Sequence, residues 1–434
     1  MKKLMSFVLV ATAFGSLKAQ QAIGDDEILE EFLVARSMES PVRYARVAKE
    51  LVDSAAGTNA YSKANAYHQF VLASVMAEHD FPRGFTLGEN VRRDYLFKGK
   101  VALELLIDKK ESALADKDKG LAYYLLSLNA GNSGDRDKLL SKAIQFDNVY
   151  ALNEKGVQQM LGGKSGELKM GFKNFDRAAQ KHNPAALYNL GMCYFKGLGC
   201  DKDLDKAFEN FKRAAEIGSG HPKAMNALGE MYRDGNGVEK NIETARDWFS
   251  KSAERGNSLG QYNYAMELLK DDPESREAVE LLRRAAHQRH LLAMVEYARC
   301  LYGGLVAADE KTGRAEHDRE AVSWWYHCAT ELKYPPAMHE LAQCFMDGRG
   351  VDKDERMAVV LYFEAVYQGN VPSMLSLADC YEKGVGPLKK SHYNANWWKT
   401  KAHACKGVRN ARVWLKRNKL KCEFWDEWKK TKGV

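Results

Sequence analysis

Apolar and small residues recur at offsets of three and four along much of the chain, which is the spacing of one face of an α-helix. In residues 184–218, Gly191 and Tyr194 lie on such a face of a first segment, and Ala207 and Phe211 lie on that of a second. A glycine-marked turn and a short charged run separate the two segments. The pattern predicts a pair of short helices in which small residues admit a neighbouring helix and aromatic residues fill the space beside them.

The same pattern returns along the chain with a period of 33 to 44 residues. Aligned on the small residue that opens the first helix, the copies begin at Ala151, Ala186, Ala224, Gly260, Ala293, Ala337 and Ser373. One helix pair cannot bury its apolar face alone, so the copies are expected to stack on one another. We therefore predict an all-α fold, an α-solenoid of antiparallel helix pairs.

Glycine recurs at two places in the repeat, inside the first helix and just after it. A glycine inside a helix costs about 1 kcal/mol relative to alanine, so the return of Gly191 as Gly229 predicts a close crossing of a second helix. The glycine pairs that follow are predicted to end each first helix in a turn that needs a positive φ. These pairs are Gly197 and Gly199, Gly235 and Gly237, Gly348 and Gly350, and Gly384 and Gly386.

Written as a consensus, the repeat is A-x-x-x-L-G-x-x-Y-x-x-G-x-G-V-x-K-D-x-x-K-A-x-x-W-x-x-K-A-A-x-x-G, and it resembles the Sel1-like repeat (SLR) family, a relative of the tetratricopeptide repeats. The match is in register at 184–257 and 337–370 and weaker at 260–292, where the turn is shortened to KDDPES. It is also weaker at 293–336, where VAADEKTGRAEHDRE, residues 306–320, is predicted to lengthen the loop. The resemblance implies a right-handed superhelix whose first helices line a concave groove, and an adaptor or binding role rather than catalysis.

Four segments are predicted along the 434 residues, and a content of 45% hydrophobic and 28% charged residues argues against a disordered chain. Residues 1–19 carry Lys2 and Lys3 before an apolar run and small residues around Ala19, a pattern typical of a secretory signal peptide. Residues 20–148 are predicted to be helical, with the possibility of diverged repeats, and 149–408 to hold about seven repeats. Residues 409–434 are predicted to form a basic, tryptophan-rich capping helix, and the mature chain is expected to be exported, either periplasmic or secreted.

The groove that the resemblance implies gives a set of candidate partner-binding residues on the exposed side of each first helix. They are Tyr188, Met192, Phe195, Lys196, Asn226, Glu230, Arg233, Tyr262, Met266, Arg299, Tyr302, His339, Gln343 and Asp379. Aromatic side chains that face solvent are costly without a cover. The groove is therefore expected to bind a protein or peptide ligand through aromatic anchors, with the alternative that some of these residues pack against the next repeat.

The cysteines favour packing over chemistry. Cys193, Cys300, Cys344 and Cys380 each follow the opening small residue of a repeat by seven positions, so they repeat one place in the structure. Small apolar thiols suit helix packing, although an exported chain leaves disulfides open. One secreted branch of the SLR family pairs cysteines across each repeat, and the cysteines here do not follow that pattern. No C-x-x-C motif occurs and the close pair His287 and His290 lacks a third ligand, so neither a metal nor a cofactor is expected.

Two short matches to functional motifs are interpreted as coincidences. GNSLG at 256–260 fits G-x-S-x-G, but the nucleophile elbow needs a strand before the serine, and helices are predicted on both sides. DKDLD at 201–205 imitates the start of a calcium loop, but Lys206 stands where glycine is required. The chain is therefore predicted not to be an enzyme. The alternative is a cell-envelope enzyme acting on peptidoglycan or β-lactams, which would depend on Ser258.

Positive charge is concentrated at the C-terminal end. Residues 389–434 hold fourteen Lys or Arg against three acids, a net charge of +11 in a chain whose total is +7. One interpretation is a solvated capping helix, and the other is attachment to an anionic envelope surface; nucleic acid is not an expected partner. The residues of this basic C-terminal patch are Lys416, Arg417, Lys419, Lys421, Lys429 and Lys430.

Overall fold

The computed structural model describes residues 116–128, 130–218, 220–305 and 314–406, and within them every regular element is an α-helix. The first seven are α1 (Asp116–Leu128), α2 (Ser133–Gln145), α3 (Val149–Gly162), α4 (Ser165–Gln180), α5 (Pro184–Lys196), α6 (Leu204–Glu216) and α7 (Pro222–Asp234). The next are α8 (Ile242–Glu254), α9 (Ser258–Asp271), α10 (Arg276–His287), α11 (Leu291–Gly303), α12 (Arg314–Thr330), α13 (Pro335–Asp347), α14 (Glu355–Tyr367), α15 (Val371–Lys383) and α16 (His392–Cys405). The predicted all-α class is confirmed.

The described helices belong to two compact units, α1 to α7 and α8 to α16. In each unit every helix packs on the one before it in the sequence. The odd-numbered helices from α3 to α15 open the repeats and are called A helices, and the even-numbered helices from α4 to α16 are called B helices. The second unit has a continuous apolar core that runs from Ala253 to Ala402.

All described A helices except α13 begin with a side-chain cap three residues before the small residue on which the repeats align. Asn183 Oδ1 accepts a hydrogen bond from the backbone N–H of Ala186 at 2.8 Å, and Asn370 Oδ1 accepts one from that of Ser373 at 2.9 Å. The same atom type caps α3 and α9. Because the first amides of a helix have no partner within it, each cap fixes where the helix starts.

The predicted glycine positions confirm close packing at both places. A Cβ on Gly191 would lie 2.6 Å from Cε1 of Phe211, so the Phe211 ring of α6 fills the space that a side chain on α5 would need. Gly199 has a φ of 76°, and a Cβ there would lie 2.3 Å from the carbonyl oxygen of Leu168 in α4. The turn glycine is therefore needed for its positive φ and for close approach to the preceding B helix.

One loop expectation is confirmed in part, and several predictions lie outside the described residues. Ten residues, 304–313, separate α11 from α12, compared with seven, 197–203, between α5 and α6; however, α12 already begins at Arg314, so the second half of 306–320 is helical and holds buried Asp318. The shortened turn is confirmed, since α9 ends at Asp271 and α10 starts at Arg276. Residues 1–115, with the predicted signal peptide, and residues 407–434, with the basic C-terminal patch, are not described. No described helix is long and apolar enough to span a membrane.

Candidate partner-binding surface

The groove candidates of the first unit lie on α5 and α7, and the aromatic ones are covered by neighbouring side chains. Tyr188 is half-buried, with its ring centroid 4.8 Å from that of His221 in a stacked arrangement and 5.7 Å from that of Phe211. Met192 and Phe195 are also half-buried, whereas Lys196 is exposed. On α5 the side chain most available to a partner is thus a lysine.

On α7 the candidates form contacts along the helix itself. Asn226 is only 3% exposed and donates a hydrogen bond to Glu230 Oε1 at 3.2 Å, which differs from the solvent-facing position expected for it. Arg233 is half-buried and pairs with the neighbouring Asp234. Asn226 occupies the same place in its helix as Tyr188, two residues after the opening small residue. That place is shielded on both helices.

The aromatic candidates of the second unit also pack against the following repeat. Tyr262 of α9 lies with its ring centroid 5.1 Å from that of His290, the cap of α11, and Met266 is half-buried one turn later. The guanidinium of Arg349 lies 3.8 Å from the ring centroid of Tyr302. Burial raises the pKa of the Tyr302 phenol to about 12. These positions therefore support the alternative of packing between repeats.

Between α11 and α13 the candidate Arg299 joins two carboxylates. Its Nη1 lies 2.6 Å from Glu296 Oε1 on the same helix, and its Nη2 lies 2.7 Å from Glu340 Oε1 on the next A helix. Burial raises the pKa of Glu296 even though Arg299 acts in the opposite direction. The Arg299 side chain is 43% exposed, so this charged group is open to solvent.

The last three candidates, His339, Gln343 and Asp379, lie on α13 and α15. His339 Nδ1 lies 3.1 Å from Ser373 Oγ, and Gln343 Nε2 donates to Ser376 Oγ at 3.3 Å. Burial lowers the pKa of His339. Asp379 is exposed on α15. The candidates on α11 and α13 therefore each contact a residue of the next A helix, through Glu340 for Arg299, Ser373 for His339 and Ser376 for Gln343.

Two groups of residues that bear on this surface are absent from the sequence-based candidate set. One is the pair of histidine caps, His221 and His290, which could have been found because Asn or His precedes the opening small residue by three positions in most copies. The other is Arg349, which forms a two-point ion pair with Asp318. No sequence pattern joins two residues 31 positions apart, so that contact could only come from the structure.

The four cysteines at the repeated position are buried in helix packing, as their spacing predicts. Burial raises the pKa to about 12 for Cys193 and Cys344 and to about 11 for Cys300 and Cys380. The reactive species of cysteine is the thiolate, so these four thiols are inert at neutral pH. By contrast, Cys405 is exposed.

Alkylation of the native protein should therefore discriminate among the cysteines. Treatment with iodoacetamide at pH 7.5 is expected to label Cys405 within minutes, while Cys193, Cys300, Cys344 and Cys380 are labelled at least about 100-fold more slowly, because they are buried and protonated. Peptide mass spectrometry reads each site separately. Labelling in urea is the control, in which all of them should react. Fast native labelling of any of the four would contradict the packing role.

The structure also shows the surroundings of the two short motif matches, at Ser258 and at Asp203. Ser258 is the first residue of α9 and is separated from the end of α8 by three residues, so no strand precedes it and the geometry of a nucleophile elbow is not present. Asp203 caps α6 by accepting a hydrogen bond from the N–H of Lys206 at 3.0 Å. No group of three metal-ligating side chains occurs within the described residues.

Comparison with known proteins gives a family and two similar structures. The sequence model of the Sel1 repeat matches residues 184–219, 222–257, 258–290, 335–370 and 371–402. A Sel1 repeat protein from Oxalobacter formigenes is 25% identical, with a TM-score of 0.47, over 57% of this chain and 96% of its own. The protective antigen c5321 of uropathogenic Escherichia coli, which displays an SLR fold, is 19% identical, with a TM-score of 0.46, over 99% of this chain and 93% of its own.

Proposed function

Because the chain is a Sel1-repeat protein, with five repeats between residues 184 and 402, we propose that it is a non-catalytic scaffold that binds a protein or peptide partner through its A helices. Sel1 repeats are scaffolds that typically serve protein interaction. The same scaffold can carry different partners on different surfaces, so the exposed side chains of this chain determine what it binds.

The observation that carries the proposal is the strip of side chains on α11, α13 and α15. B helices point their small and aromatic residues into the core, as Ala358 and Tyr362 do with 0% and 1% exposure. On the A helices, Arg299, Gln343 and Asp379 remain partly or fully exposed. A partner lying across these helices would meet the Asp379 carboxylate together with the Arg299 and Gln343 groups, which contacts between repeats already hold in place; fewer side chains then have to be ordered, which lowers the entropy cost of binding.

The proposal includes export of the mature chain. It is supported by Lys2 and Lys3, the apolar run that follows them and the small residues around Ala19. We place the partner in the same compartment, among periplasmic or secreted proteins. Attachment through the basic C-terminal patch is an independent idea, which concerns residues outside the described ranges.

Charge reversal on the A helices tests the proposal. The variant Lys196→Glu with Asp379→Lys keeps the net charge and changes two exposed A-helix positions. The matched control, Lys212→Glu with Glu277→Lys, makes the same exchange on exposed positions of the B helices α6 and α10. We expect the A-helix variant to lose at least about tenfold in affinity for the partner, a cost of about 1.4 kcal/mol, and the control to bind like the wild type.

The measurement begins with capture from envelope and secreted fractions by the mature wild-type chain, followed by titration of the captured partner against each variant. Both variants should show small and similar shifts of the unfolding midpoint, since all four positions are exposed and each variant reverses one charge that suits the dipole at a helix end, at Lys196 or at Glu277. Equal affinity of the wild type and the A-helix variant, or a loss confined to the B-helix control, would contradict binding through the A helices.

A further inference from the structure

Two A helices are capped by histidine where the others with a side-chain cap use asparagine. His221 Nδ1 accepts a hydrogen bond from the N–H of Ala224 at 3.3 Å, and His290 Nδ1 accepts one from that of Ala293 at 3.2 Å. A ring nitrogen can accept a backbone N–H only when it carries no proton. Both caps therefore depend on the neutral imidazole with its proton on Nε2.

Each histidine cap is also a contact between repeats. A tyrosine two residues after the opening small residue of the preceding A helix lies against the imidazole: Tyr188 against His221 and Tyr262 against His290. The ring centroids are 4.8 Å and 5.1 Å apart. Before the asparagine caps Asn183 and Asn370, the equivalent positions are Asn153 and His339. The Tyr–His pair is thus a distinct joint, which occurs once in each unit.

We propose that the two Tyr–His joints make the fold sensitive to pH, so that mild acid loosens α7 and α11 at their N-termini and weakens the A-helix surface. Protonation of Nδ1 replaces the acceptor by a donor, which faces the N–H that it had capped. It also places a positive charge at a helix N-terminus, where the helix dipole is already positive. The link to partner binding rests on the proposed function, whereas the link to stability does not.

The surroundings of the imidazoles favour this behaviour. His221 is 1% exposed, and the titratable side chain that faces it from α5 is Tyr188. For His290 the corresponding group on α9 is Tyr262, and the Gln261 and Gln288 amides bond each other nearby at 2.9 Å. Burial lowers the pKa of His290. The neutral form that the cap requires is thus also the form that burial favours at His290.

The sign of the effect follows from proton uptake. Histidine in the unfolded chain titrates near 6.5, and a folded histidine with a lowered pKa remains neutral below that value. For His290, whose pKa is lowered by burial, the unfolded state binds one more proton between the two pKa values, so the unfolding equilibrium constant rises about tenfold for each pH unit of acidification. The effect is absent above about pH 7 and levels off below the folded pKa.

The chain itself suggests the matched variant, His221→Asn with His290→Asn. Asparagine places Oδ1 where histidine places Nδ1, and it already caps four other A helices, so the variant keeps the cap and removes the titration. The control is His182→Asn with His403→Asn, which removes two exposed histidines.

The test is urea unfolding of the full mature chain at pH 7.5 and at pH 5.0, with every unfolding transition recorded. We expect the wild type and the control to lose at least about tenfold in folding equilibrium constant at pH 5.0 relative to the cap variant. Hydrogen exchange, corrected for intrinsic rates, should show faster exchange at pH 5.0 in peptides covering 222–234 and 291–303, in the wild type and the control but not in the cap variant.

The outcomes separate this proposal from the proposed function, because unfolding is measured without a partner. The same pH dependence in the cap variant and the wild type would overturn the joints as the sensitive element. The quantity compared is the change in unfolding free energy between pH 7.5 and pH 5.0, so a lower stability of the cap variant at pH 7.5 does not affect the comparison. A partner that binds equally at both pH values would remove only the link to binding.

Discussion

Replacing Phe211 by alanine is expected to lower the free energy of unfolding of the first unit by about 4 kcal/mol, the range for a fully buried phenylalanine. Phe211 is 1% exposed, and its ring occupies the space above Gly191 on the neighbouring A helix and touches Tyr188. Alanine would leave a cavity that the glycine cannot fill. Urea unfolding at pH 7 measures the loss, and Phe208→Ala, at a half-buried position of the same helix, is the control with a smaller cost.

The same contact predicts a change of sign in a double-mutant cycle. In the wild type, Gly191→Ala would place a Cβ 2.6 Å from the Phe211 ring, and the overlap is expected to cost about 1 to 3 kcal/mol. Without the ring, the same substitution should stabilise the protein by up to about 1 kcal/mol, because alanine favours the helix over glycine. If Gly191→Ala had the same effect in both backgrounds, the glycine would not be there to admit the ring.

The Gly191–Phe211 contact shows which part of this fold can be predicted from sequence. Both positions repeat at fixed offsets, so the pattern predicts the same packing contact in each copy: a small residue on the A helix against a large one on the B helix. The helix ends were equally predictable, because Gly197 and Gly235 occupy a backbone conformation that other residues rarely adopt. Such local rules need only the neighbouring residues.

The direction in which the A-helix side chains point was less predictable. Their positions in the repeat predict that Tyr188 and Tyr262 are exposed aromatic anchors, but each lies against the histidine cap of the following A helix. Periodicity identifies the face of a helix but not the residue 30 or so positions later that covers it. The caps were visible in the sequence as Asn or His three residues before most of the opening small residues, but only the structure shows that Nδ1 of each histidine accepts the backbone N–H.

A contact of this long-range kind also joins the α13–α14 turn to α12. Arg349 Nε and Nη2 lie 2.8 Å and 2.6 Å from the two carboxylate oxygens of Asp318, and Nη2 also donates to the carbonyl oxygen of Tyr302 at 2.6 Å. Asp318 is 5% exposed. The hydrogen bonds to Asp318 raise the pKa of the Arg349 guanidinium. Without Asp318 the arginine still stays charged at neutral pH, because the ordinary pKa of a guanidinium is far above 7.

Asp318→Ala is therefore expected to lower the free energy of unfolding of the second unit by about 3 kcal/mol, because it leaves the Arg349 charge partly buried without its carboxylate. Replacing both partners, Asp318→Leu with Arg349→Met, should bring stability back to within about 1 kcal/mol of the wild type, since no unpaired charge is left. Urea unfolding at pH 7 of the single and double variants measures both effects.

The matched control is a second two-point pair whose geometry is similar but whose burial differs. Arg283 Nε and Nη2 lie 2.7 Å and 2.8 Å from the carboxylate oxygens of Glu280, with both side chains more than a third exposed. Hydrogen bonds from Arg283 lower the pKa of Glu280 to about 2, but solvent screens the pair. Glu280→Ala should thus cost less than about 1 kcal/mol. If Asp318→Ala and Glu280→Ala lowered the free energy of unfolding equally, hydrogen-bond geometry, and not burial, would set the strength of these ion pairs.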